Sequence, residues 1–175
     1  MSDRNSTPSG SAGRFIAPAA AESFADAIDR RILQVLQTQG RLSNQALADL
    51  VHLSPSAVLQ RVRRLESQGL IRGYRADIDI ERLQPTLFVF AEVTLTSHFP
   101  DDFARFEATL EAIPEVIAAH QITGAYDYLL QAAVRDINSW RQLADHLLGA
   151  GLGVAKITTS VKMKTVKAFG GFRVG

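Results

Sequence analysis

Cysteine is absent from all 175 residues of this chain. That excludes disulfide bridges, thiolate nucleophiles and cysteine-based zinc sites, and it is compatible with a reducing compartment. Long apolar runs are also missing. The longest, from Leu87 to Ala91, is broken by Glu92, far short of the roughly 20 residues that span a bilayer. The N-terminal stretch MSDRNSTPSGSAGR has no apolar centre and lacks the pattern of a secretory signal. The four histidines, His52, His98, His120 and His146, show no metal-ligand spacing, and no nucleophile–base pair stands out. The glycine-rich GAGLG at 149–153 follows a predicted helix and precedes a predicted strand. This is the reverse of the dinucleotide-binding context, so it is read as a helix stop. These absences predict a soluble, cytoplasmic protein that is not an enzyme and needs no metal, cofactor or membrane.

What is present is an apolar content of 46%, enough for a packed core. A net charge of only +1 conceals a strong partition. Residues 25–75 hold eight arginines against four acids, and residues 76–155 hold four arginines against twelve acids. The last twenty residues carry five basic side chains and no acid. A basic module joined to an acidic one is the pattern of a nucleic-acid-binding domain attached to a part that does not touch nucleic acid.

Residues 1–23 are rich in Ser, Ala, Gly and Pro and are expected to be a disordered tail. Three helices are predicted over 24–75. The first, about Ala27–Gln39, is capped by Asp26 and closed by Gly40 in a left-handed conformation. The second starts at the N-cap Ser43, and His52-Leu53 form the turn that follows. The third runs from Pro55 to about Gln68, with Ser54 as N-cap, proline at the first helical position and Gly69 as its stop. Leu70, Ile71 and Tyr74 then suggest a wing or exit strand. After a linker at 76–85, residues 86–168 read as strand, helix, strand, strand, helix, strand. The elements are a strand over 86–95, a helix over 101–113, strands over 116–123 and 128–134, a helix capped by Asp136, and a strand over 156–166. This is the order of a ferredoxin-like βαββαβ sandwich. Residues 169–175 are a C-terminal tail. The fold class is therefore α+β: a winged helix-turn-helix followed by the sandwich.

On the third helix, Val58, Val62 and Leu65 share one side, and Ser56, Gln60, Arg63, Arg64 and Ser67 share the other, with Arg61 beside them. A solvated charged face has a similar composition. The two adjacent capped helices, the short turn and the positive module favour a face that lies in the DNA major groove. Arg matches guanine and Gln matches adenine. Ser54 and the helix N-terminus suit a phosphate, and Arg41, Arg72 and Arg75 are candidates for backbone contacts. Lys162, Lys164 and Lys167, taken as alternating along the last strand, form a weaker candidate for a second DNA-wrapping surface.

The run DAIDRRIL…LQTQGRLSNQALADLVHLSPSAVLQRVRRLESQGLIRGYRADID resembles the N-terminal half of the Lrp/AsnC (feast/famine) transcriptional regulators, and ITGAYDYLLQ resembles their effector domain. The resemblance implies a sequence-specific regulator of transcription that forms a homodimer and assembles further, for example into an octamer of four dimers. It also implies that an amino acid or related small effector binds between protomers. The matching effector residues are Gly124, Tyr126, Asp127 and Tyr128, with Thr158, Thr159 and Ser160 lining the same cleft. Asp127 could pair with an α-ammonium, and the amides near 122–125 could receive a carboxylate. Without the resemblance, Gly124–Asp127 reads as an ordinary hairpin turn. Such a regulator is expected to be nucleoid-associated in the cytoplasm, and a chromosome-organising protein that wraps DNA with little sequence preference is the alternative function.

Overall fold

A run of N-caps starts the helices. The computed structural model describes residues 25–174, so the expected tail, with Arg4 and Arg14, lies outside the described residues. Helix α1 (Ala27–Thr38) opens on a reciprocal capping box. The Asp29 amide donates to the Asp26 carboxylate at 2.8 Å, and the Asp26 amide donates to the Asp29 carboxylate at 3.0 Å. Ser43 caps α2 (Asn44–Val51), and Ser54 caps α3 (Pro55–Ser67) by accepting from the Ala57 amide at 3.3 Å. Ile32 of α1, Leu47, Ala48 and Val51 of α2, and Val58, Val62 and Leu65 of α3 close one apolar core. The α2–α3 turn rests on His52, which takes a left-handed conformation at φ 58°.

Two expectations for this unit need correction. Gly40 is not left-handed: α1 ends at Thr38 with Gln39 as its cap, and the left-handed glycine is Gly69, at φ 71°, which closes α3. No strand forms over 70–79. The Leu70 and Ile71 amides both donate to the Leu65 carbonyl, at 2.9 and 3.1 Å, so the donors a wing would need finish the helix instead. The C-terminal segment belongs to this unit as well. The Phe172 amide donates to the Gln37 side-chain oxygen at 2.5 Å, and the Gln37 Nε2 returns a bond to the Phe172 carbonyl at 3.1 Å.

The second unit, Ala76–Ala168, takes in the stretch expected to be a linker, which carries a single 3-10 turn at Ile80–Arg82. Its elements follow the order β1 (Leu87–Leu95), α4 (Pro100–Glu111), β2 (Val116–Gln121), β3 (Tyr128–Val134), α5 (Ile137–Gly149), β4 (Val154–Val161). The four strands form one antiparallel sheet in the order β2-β3-β1-β4, the split βαβ sandwich. Alternation along β1 and β3 sends Val89, Ala91, Val93, Leu95, Tyr128, Leu130, Ala132 and Val134 to one face. There they pack with Phe106 and Leu110 of α4 and Trp140 and Leu147 of α5. Asp136 caps α5, and Gly151 and Gly153 turn the chain at φ 67° and 69°, so the GAGLG run is a helix stop.

The last strand is shorter than its sequence pattern. It ends at Val161, whose partner on β1 is Val89, and the Lys162 amide adds a last bond to the Phe88 carbonyl at 2.9 Å. Lys164 and Lys167 therefore lie beyond the strand and form no stripe with Lys162. The Lys162 ammonium is taken up by Glu81 at 3.2 Å and by the Phe88 ring, 3.7 Å from its centroid.

Because Leu130 is fully enclosed on a central strand, Leu130→Ala is expected to cost about 2–5 kcal/mol through lost contacts and the residual cavity. Urea unfolding followed by circular dichroism measures this directly.

Candidate DNA interface and effector loop

The orientation of the α3 side chains is set from α1. Asp29 has no solvent exposure, and a buried carboxylate requires compensating partners. Two arginines of α3 provide them. Arg61 reaches Asp29 at 2.8 Å and Asp26 at 2.6 Å, and Arg64 reaches the other Asp29 oxygen. Arg61 and Arg64 are three residues apart and so lie on the same side of the helix. At about 100° per residue, Ser56, Gln60, Arg63 and Ser67 form a separate stripe, and all four are exposed.

This geometry divides the predicted DNA-binding residues. Ser56, Gln60 and Arg63 stand together on the outer stripe. Arg61 and Arg64, expected on the contact face, are tied by their guanidinium groups to Asp26 and Asp29, because a buried carboxylate is a nearer anion than any solvent-borne phosphate. The Ser54 oxygen caps α3 and lies 3.1 Å from the Ser56 hydroxyl. Arg41, Arg72 and Arg75 are exposed outside the three helices. Sequence reasoning missed Asp29 as a determinant of this face. The signal available was an acid on the N-terminal turn of a helix whose basic counterparts lie 32 and 35 residues away.

In the second unit, period-two alternation sorts the predicted effector residues. Tyr128 lies on the helix side of the sheet, only 2% exposed, between the rings of Phe103 and Phe106. Its hydroxyl donates to Glu107 at 2.7 Å, and burial together with that acidic partner raises its pKa well above the usual tyrosine range. Thr159 faces the same side, where its hydroxyl accepts from the Trp140 indole at 3.1 Å. Tyr128 is therefore part of the core, a correction to its grouping with the cleft, whereas Thr159 is exposed on the edge strand β4 and differs from Thr158 and Ser160 only in facing the helix side of the sheet. Thr158 and Ser160 point to the opposite face, and cross-strand pairing sets Thr158 beside Glu92. The Thr158 hydroxyl is buried with no hydrogen-bond partner in the unit. Tyr126 lies near the Glu92 side chain, whose carboxylate raises the phenol pKa.

The loop between β2 and β3 is closed by its own backbone. The Ile122 amide donates to the Asp127 carbonyl at 2.9 Å, and the Asp127 amide donates to the Val93 carbonyl at 2.9 Å. Gly124 adopts φ 129°, a region open to glycine and strained for any side chain, although the space around it is free. The Asp127 carboxylate is half-buried and anchored: one oxygen accepts from the Leu95 amide at 2.7 Å, and the other meets His98 Nε2 at 2.9 Å. Among the described residues no group of three or more His, Asp or Glu side chains could hold a metal ion, and no helix is long and apolar enough to cross a membrane.

Replacing Asp29 by Ala removes half of the α1 capping box, the carboxylate that holds Arg64 and one of the two carboxylates that hold Arg61. It is expected to destabilise the protein by about 2 kcal/mol or more, measured by urea unfolding. Asp26 adds an acid-dependent component. The Asp29 amide, followed by Arg61, lowers its pKa from 3.8 to about 2. A depressed carboxylate pKa gives stability that is fully present above pH 3.8 and lost as pH falls toward 2. Asp26→Asn is therefore expected to flatten the acid limb of the stability curve over that window, read from midpoints at successive pH values.

Comparison with known proteins agrees with both units. Residues 26–72 match a winged helix-turn-helix DNA-binding family, and residues 88–172 match the Lrp/AsnC ligand-binding domain. The leucine-responsive regulatory protein of Salmonella typhimurium is 43% identical over 142 residues, covering 81% of this chain and 87% of its own length. A transcriptional regulator from Neisseria meningitidis, solved as a complex with L-Met, is 36% identical with a TM-score of 0.76, covering 82% of this chain and 92% of that one. The leucine response regulatory protein of Mycobacterium tuberculosis is 31% identical with a TM-score of 0.71, covering 82% and 95%. These relatives are regulators of transcription rather than enzymes. With an N-terminal helix-turn-helix and a C-terminal ligand-binding sandwich, the chain belongs to the Lrp/AsnC family of transcriptional regulators.

Proposed function

We propose that this regulator recognises a specific DNA site through the outer stripe of α3, and that an amino acid bound at the β2–β3 loop modulates that recognition. The observation that carries the DNA half is the separation of α3 into an anchored side, Arg61 and Arg64, and a free stripe of Ser56, Gln60 and Arg63. Arg63 and Gln60 read base edges in the major groove, and Arg41, Arg72 and Arg75 contact phosphates.

The effector half is supported by the chemistry of the loop. Asp127 offers a fixed carboxylate for an α-ammonium, and the Thr123, Gly124 and Ala125 amides offer donors for an α-carboxylate. An amino acid carries both groups. The leucine-responsive names of relatives and the L-Met complex of a structural neighbour support the same ligand class. Tyr126, Thr158 and Ser160 belong to the sheet face opposite the core, where a second protomer would complete the cleft. The partnerless buried hydroxyl of Thr158 supports this placement. A homodimer, assembled further into a ring such as four dimers, is the framework for such a shared site. An effector controls this assembly only through a difference in affinity between two states. No observation favours the low-specificity wrapping alternative, since Lys162, its leading basic residue, is engaged by Glu81.

Three measurements follow from this reading. With an operator selected from random duplex DNA, Arg63→Ala is expected to lower the ratio of specific to random binding by about tenfold, read by fluorescence anisotropy. Arg41→Ala is expected to weaken both equally and to reduce the salt slope by about one. Asp127→Asn is expected to abolish amino-acid binding by calorimetry while operator affinity stays intact. Equal affinity of the wild type for selected and random duplex would overturn sequence-specific recognition in favour of wrapping.

A further inference from the structure

His98 lies in the connection between β1 and α4, outside the Gly124–Asp127 motif, yet its Nε2 meets the Asp127 carboxylate at 2.9 Å. A carboxylate oxygen only accepts, so Nε2 carries the proton and donates. The other Asp127 oxygen is engaged by the Leu95 amide at 2.7 Å, a backbone contact that holds the carboxylate in place. The Asp127 side chain is 19% exposed and that of His98 62%, so part of the carboxylate is reachable from solvent and the imidazole lies mostly in it. On its other side the ring packs tilted on Phe103, with centroids 5.9 Å apart.

We infer that His98 is a displaceable occupant of the effector's ammonium position, a gate that sets how tightly this regulator binds ammonium-bearing effectors. The inference rests on the assignment of Asp127 to the α-ammonium and adds to it. Imidazole N–H and ammonium N–H compete for the same acceptor oxygen, and only the ligand brings further donors and acceptors to the loop. An exposed histidine changes rotamer on a picosecond-to-nanosecond scale, so the gate opens without rearrangement of the sheet. Exposed ion pairs are weak, so displacement lowers effector affinity by a small factor and does not prevent binding. The consequence is a modestly raised threshold: the half-saturating concentration of amino acid rises by that same small factor. A compound that retains the carboxylate but lacks the ammonium does not compete for Asp127 and gains nothing from removal of the imidazole.

The test is calorimetric titration of the wild type, His98→Ala and Asp127→Asn, each as the full chain, with L-leucine, L-methionine and the other standard amino acids. The desamino acid of the best ligand serves as control. His98→Ala is expected to tighten amino-acid binding by about two- to fivefold, the range that exposed ion pairs span, and to leave the desamino acid unchanged. A variant that merely loosened the loop would weaken binding, so the direction separates a gate from a structural role. Unchanged or weaker binding by His98→Ala, with Asp127→Asn still abolishing binding, overturns the gate and leaves the effector site standing. Wild-type affinity retained by Asp127→Asn, or no binding by either wild type or His98→Ala, overturns both.

Discussion

One buried charge organises the DNA-binding unit. A carboxylate at 0% exposure is tolerated only when its oxygens are satisfied, and Asp29 meets that requirement three ways: through the amide of Asp26, through Arg61 and through Arg64. The same contacts restrict the rotation of α3 about its own axis. With Arg61 and Arg64 directed to α1 and Val58, Val62 and Leu65 in the core, the stripe through Ser56, Gln60, Arg63 and Ser67 faces outward, with Glu66 exposed beside it. Core packing alone would allow the helix some freedom of roll, since apolar contacts are not directional. Charge-assisted hydrogen bonds are directional and narrow that freedom.

The second unit depends on a different constraint, the strict alternation of a four-stranded sheet. Alternation commits one face to α4 and α5 and leaves Phe90, Glu92, Leu129 and Thr158 on the other. Residues adjacent in sequence thereby acquire unrelated roles: Tyr128 is in the core and Thr159 faces the helix side, while Tyr126, Thr158 and Ser160 belong to the open side. Asp127 stands where the alternation begins. Its amide completes a bond to Val93 and its carboxylate holds the Leu95 amide, so a candidate ligand group is also a structural cap on β1. That dual use gives the loop a fixed geometry before any ligand arrives, which lowers the ordering cost of binding.

Much of the fold was legible from local chemistry. Asp26, Ser43, Ser54 and Asp136 marked four helix starts, because a side-chain oxygen capping amides two or three residues on is a short-range interaction. Tyr128–Val134 was legible as a strand, and Gly69 as a stop. The errors arose where a partner far along the chain decides. Met163 and Thr165 continue the alternation of the last strand to 166, but its pairing with β1 stops at Val161 and Val89, and alternation alone supplies no partner. The wing at Leu70–Tyr74 was drawn from apolar character, but its amides close α3. For the site, the Arg-rich face and the GAYD loop were legible by type and spacing, whereas the role of each side chain was not. Arg64 and Arg63 are adjacent and chemically identical, and only a carboxylate more than thirty residues away tells them apart.

The sequence by itself determined the order of elements, the helix caps and the pairing of a basic helix-turn-helix with an acidic sandwich, because each is written in local composition and periodicity, while the family was marked by the resemblance of its two motif runs. Only the tertiary structure decided which arginines of α3 are bound to Asp26 and Asp29, which of the motif tyrosines is core, and that His98 stands on Asp127. These assignments rest on contacts between residues about thirty positions apart, and such contacts exist only once the chain has folded and withdrawn its charges from water.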